Sequence, residues 1–111
     1  CVEVELKQIR NTLFVRIQGE MDMVVAEKLR QEIDRKLETK KICNLVINLE
    51  KVTFIDSSGL GVIIGRYKKI AGWGGKMFIV GARPSVYKIL MFSGINRLVS
   101  MYNNEQDIIN I

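Results

Sequence analysis

The sequence predicts an α/β fold: a mixed, mainly parallel β-sheet with flanking helices, in the order β-β-α-β-α-β-α-β-α. Three observations predict it. Apolar and polar residues alternate through the first two apolar stretches, the apolar period lengthens to that of a helix from Ala26, and Ile42 to Leu49 is nearly continuous apolar sequence rich in Val and Ile. A run of this last kind suits a central strand covered on both faces, so helices are expected on either side of the sheet.

Val2, Val4 and Leu6 alternate with Glu3, Glu5 and Lys7, and Leu13, Val15 and Ile17 alternate with Phe14, Arg16 and Gln18. With Arg10-Asn11 between them, these are two strands of a hairpin. Ala26, Leu29, Ile33 and Leu37 then share one face of an amphipathic helix on which Glu32 and Lys36 are spaced to pair, with Asp22 as candidate N-cap. Met23-Val24-Val25 is expected to be buried under this helix, the other reading being an exposed apolar contact patch. After the strand Ile42–Leu49 and the pair Glu50-Lys51, Val52 to Ile55 forms a short extended approach to a second helix. Leu60, Ile63, Ile64, Tyr67 and Ile70 recur there at helical spacing, and Gly72 is placed to end it.

Gly72-Trp73-Gly74-Gly75 follows a helix and precedes a strand, so it reads as a turn; phosphate loops follow a strand. Lys76 to Val80 is the next strand. Gly81-Ala82-Arg83 leads to Pro84, which opens a third helix through Val86, Tyr87, Leu90 and Met91 before Gly94. Leu98 to Tyr102 makes the last strand, and Asn104 followed by Asp107 marks entry to a terminal helix, Glu105 to Ile111. Strands alternating with helices imply right-handed parallel crossovers, with the opening hairpin adding an antiparallel strand.

A chain of 111 residues is expected to form one domain, 1–111. Hydrophobic residues at 48% and charged residues at 26% give the balance of a globular protein rather than a disordered one. No apolar run approaches the roughly 20 residues of a membrane span and no signal-peptide layout is present, so a cytoplasmic location with no membrane contact is expected. Cys1 is terminal and Cys43, inside an apolar run, is expected to be a buried small hydrophobe; neither a disulfide nor a zinc site is indicated. The net charge of +5 raises nucleic-acid binding. Apart from Lys40-Lys41 and the group Arg66, Lys68 and Lys69, however, the basic residues are scattered among acidic ones, as on a solvated surface. The chain has no histidine. The commonest general base, the usual nucleophile pairs and most zinc sites are thereby removed, and no catalytic residue, metal or cofactor is expected.

One constellation carries chemistry. Asp56-Ser57-Ser58-Gly59 lies between a strand and a helix, where the first helical N–H groups have no internal partners and favour an anion. A phosphoryl group on Ser57, with about −1.5 to −2 charges, is compatible with that position. The plainer reading is that Asp56, Ser57 or Ser58 caps the helix. Gly59, Gly61 and Gly65 lie within seven residues and point to a close approach by a neighbouring strand or by a partner.

Together with the order of elements, Gly19-Glu20-Met21-Asp22, Asn48-Leu49-Glu50, Phe92-Ser93-Gly94 and the stretch from Phe54 through Asp56-Ser57-Ser58-Gly59-Leu60-Gly61 to Lys68 carry a resemblance over essentially the whole chain. The sequence resembles the STAS domain of anti-sigma factor antagonists, in particular those of endospore-forming bacteria. The resemblance implies a non-enzymatic regulator of sporulation transcription by partner switching, phosphorylated on Ser57 by an anti-sigma factor and serine kinase of SpoIIAB type that uses ATP. It implies that the unphosphorylated form binds that kinase and releases sigma-F, and that a SpoIIE-type phosphatase restores it. The free protein is expected to be monomeric. Asp22, Asp56, Ser57, Ser58, Gly59, Leu60 and Gly61 are the implied partner-binding residues. Asp22 is either the N-cap or an acidic neighbour of the phosphorylated turn, and Leu60 either an interface anchor or part of the core. The family often has polar residues or histidines where this chain has Met23-Val24-Val25. Two rivals are a STAS regulatory domain of another partner-switching, transport or lipid-trafficking system, and a nucleotide- or phosphate-binding domain or an enzyme with Ser57 as nucleophile. The second lacks a base for the serine.

Overall fold

The computed structural model describes residues 3–39 and 41–109. Cys1, Val2, Lys40 and the last two positions of the expected terminal helix, 110 and 111, lie outside the described residues. The elements are β1 (Glu3–Ile9), β2 (Thr12–Met21), α1 (Met23–Thr39), β3 (Asn44–Ile55), α2 (Ser57–Gly72), β4 (Lys76–Val80), α3 (Pro84–Ser93), a 3-10 turn (Ile95–Arg97), β5 (Ser100–Tyr102) and α4 (Glu105–Ile109). The predicted order holds, with the 3-10 turn added and the last strand shortened to begin at Ser100. No helix among the described residues is long and apolar enough to cross a membrane.

The five strands lie in sequence order. β1 and β2 pair antiparallel around a two-residue turn in which Arg10 has a positive φ of 57°, and every later pair is parallel. Because each new parallel strand is added on the same side of its predecessor, right-handed crossovers carry the helices to the same face. The side chains agree: Leu29 and Ile33 of α1, Ile63 and Ile70 of α2, and Val86 and Leu90 of α3 share one core with Leu13, Val15, Leu45, Ile47 and Ile79 of the sheet. The other face carries a smaller cluster, Phe14, Val46 and Val80, packed with Phe78, Tyr102 and Ile108. The expectation of helices on both faces is therefore met unevenly, since α4 is the helix that contributes to the second cluster. β3 still reads as continuously apolar because its alternate residues serve both clusters.

Several local expectations are corrected. Val52–Ile55 is not a separate approach but the end of one 12-residue strand, β3. Two register shifts, between Arg16 and Gln18 and between Gly19 and Glu20, place two extra residues in β3 and break the alternation at Glu50-Lys51. Cys43 is exposed, because β3 starts at Asn44, two residues later than expected, and Cys43 stands in the entry loop, where its N–H donates to the Asn11 carbonyl at 2.8 Å. Glu32 lies 3.9 Å from Arg35 rather than pairing with Lys36. Gly72 ends α2, Pro84 opens α3, and Gly94 closes it in the left-handed conformation, as expected.

α4 is held to the second face by a polar clamp. Arg16 donates from Nε and Nη2 to Glu105 at 2.9 and 2.7 Å, and Asn48 Nδ2 donates to the same carboxylate at 2.7 Å. The bonds from Arg16, with a smaller contribution from Asn48, hold the Glu105 carboxyl below its ordinary range despite partial burial, and Glu105 in turn raises the Arg16 guanidinium. A carboxyl depressed in the folded state contributes stability that is complete above its unfolded pKa of about 4.3 and is lost as pH falls through the folded value. Comparison of wild type with Glu105→Gln by urea denaturation is thus expected to show a stability difference that is constant near neutrality and shrinks below about pH 4.

Candidate functional site

β2 and β3 end side by side, with Met21 and Ile55 as registered neighbours, and each strand passes into a helix through a single aspartate. Asp22 Oδ1 accepts from Val25 N–H at 3.1 Å and Asp56 Oδ1 from Gly59 N–H at 3.0 Å. The backbone carbonyls of the same residues accept the first helical bonds, from Ala26 at 2.8 Å and Leu60 at 3.1 Å. Both are N-caps in side chain and backbone. The two heads are also tied to each other, because the Asp56 N–H donates to the Met21 carbonyl at 3.2 Å. They stand at the carboxyl ends of parallel strands, the usual position for sites in such sheets.

Every site residue predicted from sequence falls on these two heads. Asp22 is the cap that one reading required, and the strand pairing places it beside the Asp56–Gly61 turn as the other required. Asp56, not Ser57 or Ser58, caps α2. Ser57 is left exposed as the first helical residue, and among the described residues its hydroxyl has no hydrogen-bond partner. Ser58 is half-buried. The head is acidic: among the described residues neither Asp22 nor Asp56 has an ion-paired cation, and Asp56 already occupies the N–H that an anion would seek first. Among the described residues it is the positive ends of the two helix dipoles that offset these charges. Among the described residues no group of three side chains could hold a metal ion.

The glycines separate into two kinds. A Cβ on Gly59 would lie 2.8 Å from Ile55 Cγ1 and 3.2 Å from both Cβ and the carbonyl oxygen of Met21, so Gly59 is where the head of α2 presses onto the strands. Gly61 and Gly65 have nothing within 4 Å of that position, which corrects the expectation of close approach at all three. Leu60 is half-buried and packs against the core, so the core reading accounts for it.

Further along the helices, Asp34 of α1 lies 3.2 Å from both Arg66 Nε and Lys69 Nζ of α2, and 3.6 Å from Arg30. Arg66 is the buried charged residue of the molecule's described part, at 8% exposure. The expected basic group Arg66, Lys68 and Lys69 is thus partly spent on holding α1 against α2.

Sequence reasoning misplaced Met23 and Val24. They are 70% and 77% exposed, while Val25 and Ala26 are buried. The signal was present: extending the stripe Ala26, Leu29 and Ile33 back by a turn reaches Val25 and Asp22 and leaves Met23 and Val24 outside.

The STAS domain profile matches residues 3–108. An anti-sigma F factor antagonist of Paenibacillus polymyxa is 36% identical over 104 residues, covering 94% of this chain and 89% of its own. The chain belongs to the STAS domain family. Among solved structures, the anti-sigma factor antagonist SpoIIAA in its unphosphorylated form matches with a TM-score of 0.80 at 24% identity, covering 97% of this chain and 96% of that one. The phosphorylated form of the Bacillus protein matches with a TM-score of 0.79 at 26% identity, over 97% and 98%. This STAS domain therefore shares its fold equally with both forms of that relative.

The two kinds of glycine give opposite expectations. Gly59→Ala is expected to destabilise by about 1–3 kcal/mol, because the clash is with strand atoms that cannot move away. Gly61→Ala is expected to stabilise by about 0.5–1 kcal/mol, because an open helical site gains from the reduced freedom of the unfolded chain. Denaturant midpoints of the two variants check both signs.

Proposed function

We propose that this STAS domain is an anti-sigma factor antagonist that docks through the paired heads of α1 and α2 and is switched off by phosphorylation of Ser57. The observation that carries the proposal is the state of Ser57, an exposed hydroxyl at the first position of α2, free of any capping duty and flanked by Asp22 and Asp56. The 36% identical relative is named an anti-sigma F factor antagonist, which supports sigma-F as the factor released indirectly and a SpoIIAB-type kinase as the partner. Sporulation is then the process controlled, and a SpoIIE-type phosphatase reverses the modification. ATP is consumed by the kinase. The antagonist itself supplies the acceptor hydroxyl and the docking surface.

The physics of the switch follows from position. Ser57 points away from the core, so a phosphoryl group there displaces no packed side chain and leaves the Asp56 cap on Gly59 available. The likeness to both the unphosphorylated and the phosphorylated SpoIIAA supports a modification that leaves the fold intact. In a complex the same charge would be desolvated between the partner and two carboxylates. An unpaired charge in that setting costs several kcal/mol, and each 1.4 kcal/mol is about tenfold in affinity.

Incubation with the cognate SpoIIAB-type kinase and ATP is expected to add one phosphate, which mass spectrometry should place on Ser57. Ser57→Asp is expected to lose partner binding by at least tenfold, whereas Ser57→Ala should stay folded, bind, and resist inactivation by ATP. A phosphate found elsewhere, or Ser57→Asp binding as tightly as wild type, would overturn the reading.

A further inference from the structure

We infer that Met23 and Val24 form the apolar contact by which the anti-sigma partner is selected, seated in an uncharged pocket beside the partner's site for Ser57. The inference rests on the docking reading above and deepens it. Both residues occupy the first turn of α1, where the helix dipole favours acidic side chains and where β-branched valine is a poor helix former. They stand 70% and 77% exposed, while the packing at this end of the helix is done by Met21, Val25 and Ala26 at 0%, 6% and 2%. Nothing among the described residues therefore asks for two large apolar side chains here.

Proximity says what covers them. The Asp56 N–H meets the Met21 carbonyl at 3.2 Å, and with successive Cα atoms about 3.8 Å apart this bond puts the Cα of Met23 within roughly 15 Å of that of Ser57. A stable partner buries about 800 Å² on each side, a patch roughly 28 Å across. A partner centred on the joined heads of α1 and α2 covers Ser57, Met23 and Val24 together. Their burial also removes water from the surroundings of Ser57, which strengthens the effect of a charge added there. The partner should accordingly be one whose surface presents an apolar pocket, and homologous anti-sigma factors with a polar surface at that place should be rejected.

Binding of the cognate anti-sigma factor, measured by titration calorimetry, tests the inference with three variants. The pair Met23→Ser and Val24→Ser is expected to raise Kd roughly 10- to 100-fold with an unchanged melting temperature, as befits the loss of two apolar contacts made only in the complex. The pair Met23→Leu and Val24→Ile is expected to bind within about twofold of wild type. Serine variants that bind as wild type, or a conservative pair as weak as the serine pair, would overturn the inference. Ser57→Asp is the separate control: if it alone keeps full binding, the phosphorylation reading falls, whereas its loss together with unaffected serine variants removes only the role given to Met23 and Val24.

Discussion

The structure depends on how β2 and β3 keep step. β3 has two more residues than β2 over the length they share, and a single extra residue would turn every later side chain to the wrong face. Two bulges restore the parity, so Leu13 and Leu45 enter the core together at one end and Met21 and Ile55 do so at the other. Only with that parity can both strands release their chains at the same level, one aspartate each, into helices that start side by side. The bulges are in this sense part of the site, although none of their residues belongs to it.

Once the heads are level, contacts at two heights keep them so. At the strands, the Asp56 N–H binds the Met21 carbonyl and Gly59 lies hard against Met21 and Ile55. Further down, Asp34 gathers Arg66 and Lys69 of α2 and Arg30 of its own helix. A buried ion pair is weak evidence of net stability, because desolvation offsets much of the attraction. Its stronger effect is on uniqueness. A slide of α1 past α2 would strand Arg66 without a counter-charge, so the pair fixes the helices where hydrophobic packing alone would tolerate several positions.

How much of this was legible in the sequence follows from the range of the forces involved. Element order and the N-cap at Asp22 rest on period and local hydrogen bonding, and these were readable. The Asp56-Ser57-Ser58-Gly59 turn was readable as a helix start, though which residue caps it was not, since three adjacent side chains are all competent. β3 was divided at Glu50-Lys51 because a bulge resembles a break when only one strand is visible. The exposure of Cys43 depends on a loop bond to Asn11, 32 residues away, and the pairing of Asp34 with Arg66 depends on how two helices cross. The uneven cover of the sheet is a property of strand order, which no local signal records.

The same geometry explains why a charge on Ser57 can act on docking while sparing the fold. In the free domain the turn faces water, and two unit charges about 6 Å apart repel by only about 0.7 kcal/mol at a dielectric constant of 80. Asp22 and Asp56 would oppose a phosphoryl group by amounts of that order, and the positive ends of the two adjacent helix dipoles offset part of it. Covering the turn with a partner lowers the effective dielectric constant toward 20 and raises the same repulsion to about 3 kcal/mol per pair. The carboxylates that cap the helices therefore also amplify the proposed switch: they are tolerable neighbours for a phosphate in water and poor ones in an interface. A head built with lysine or arginine beside Ser57 would have held the phosphate in both states, and the difference between them on which switching depends would have been smaller.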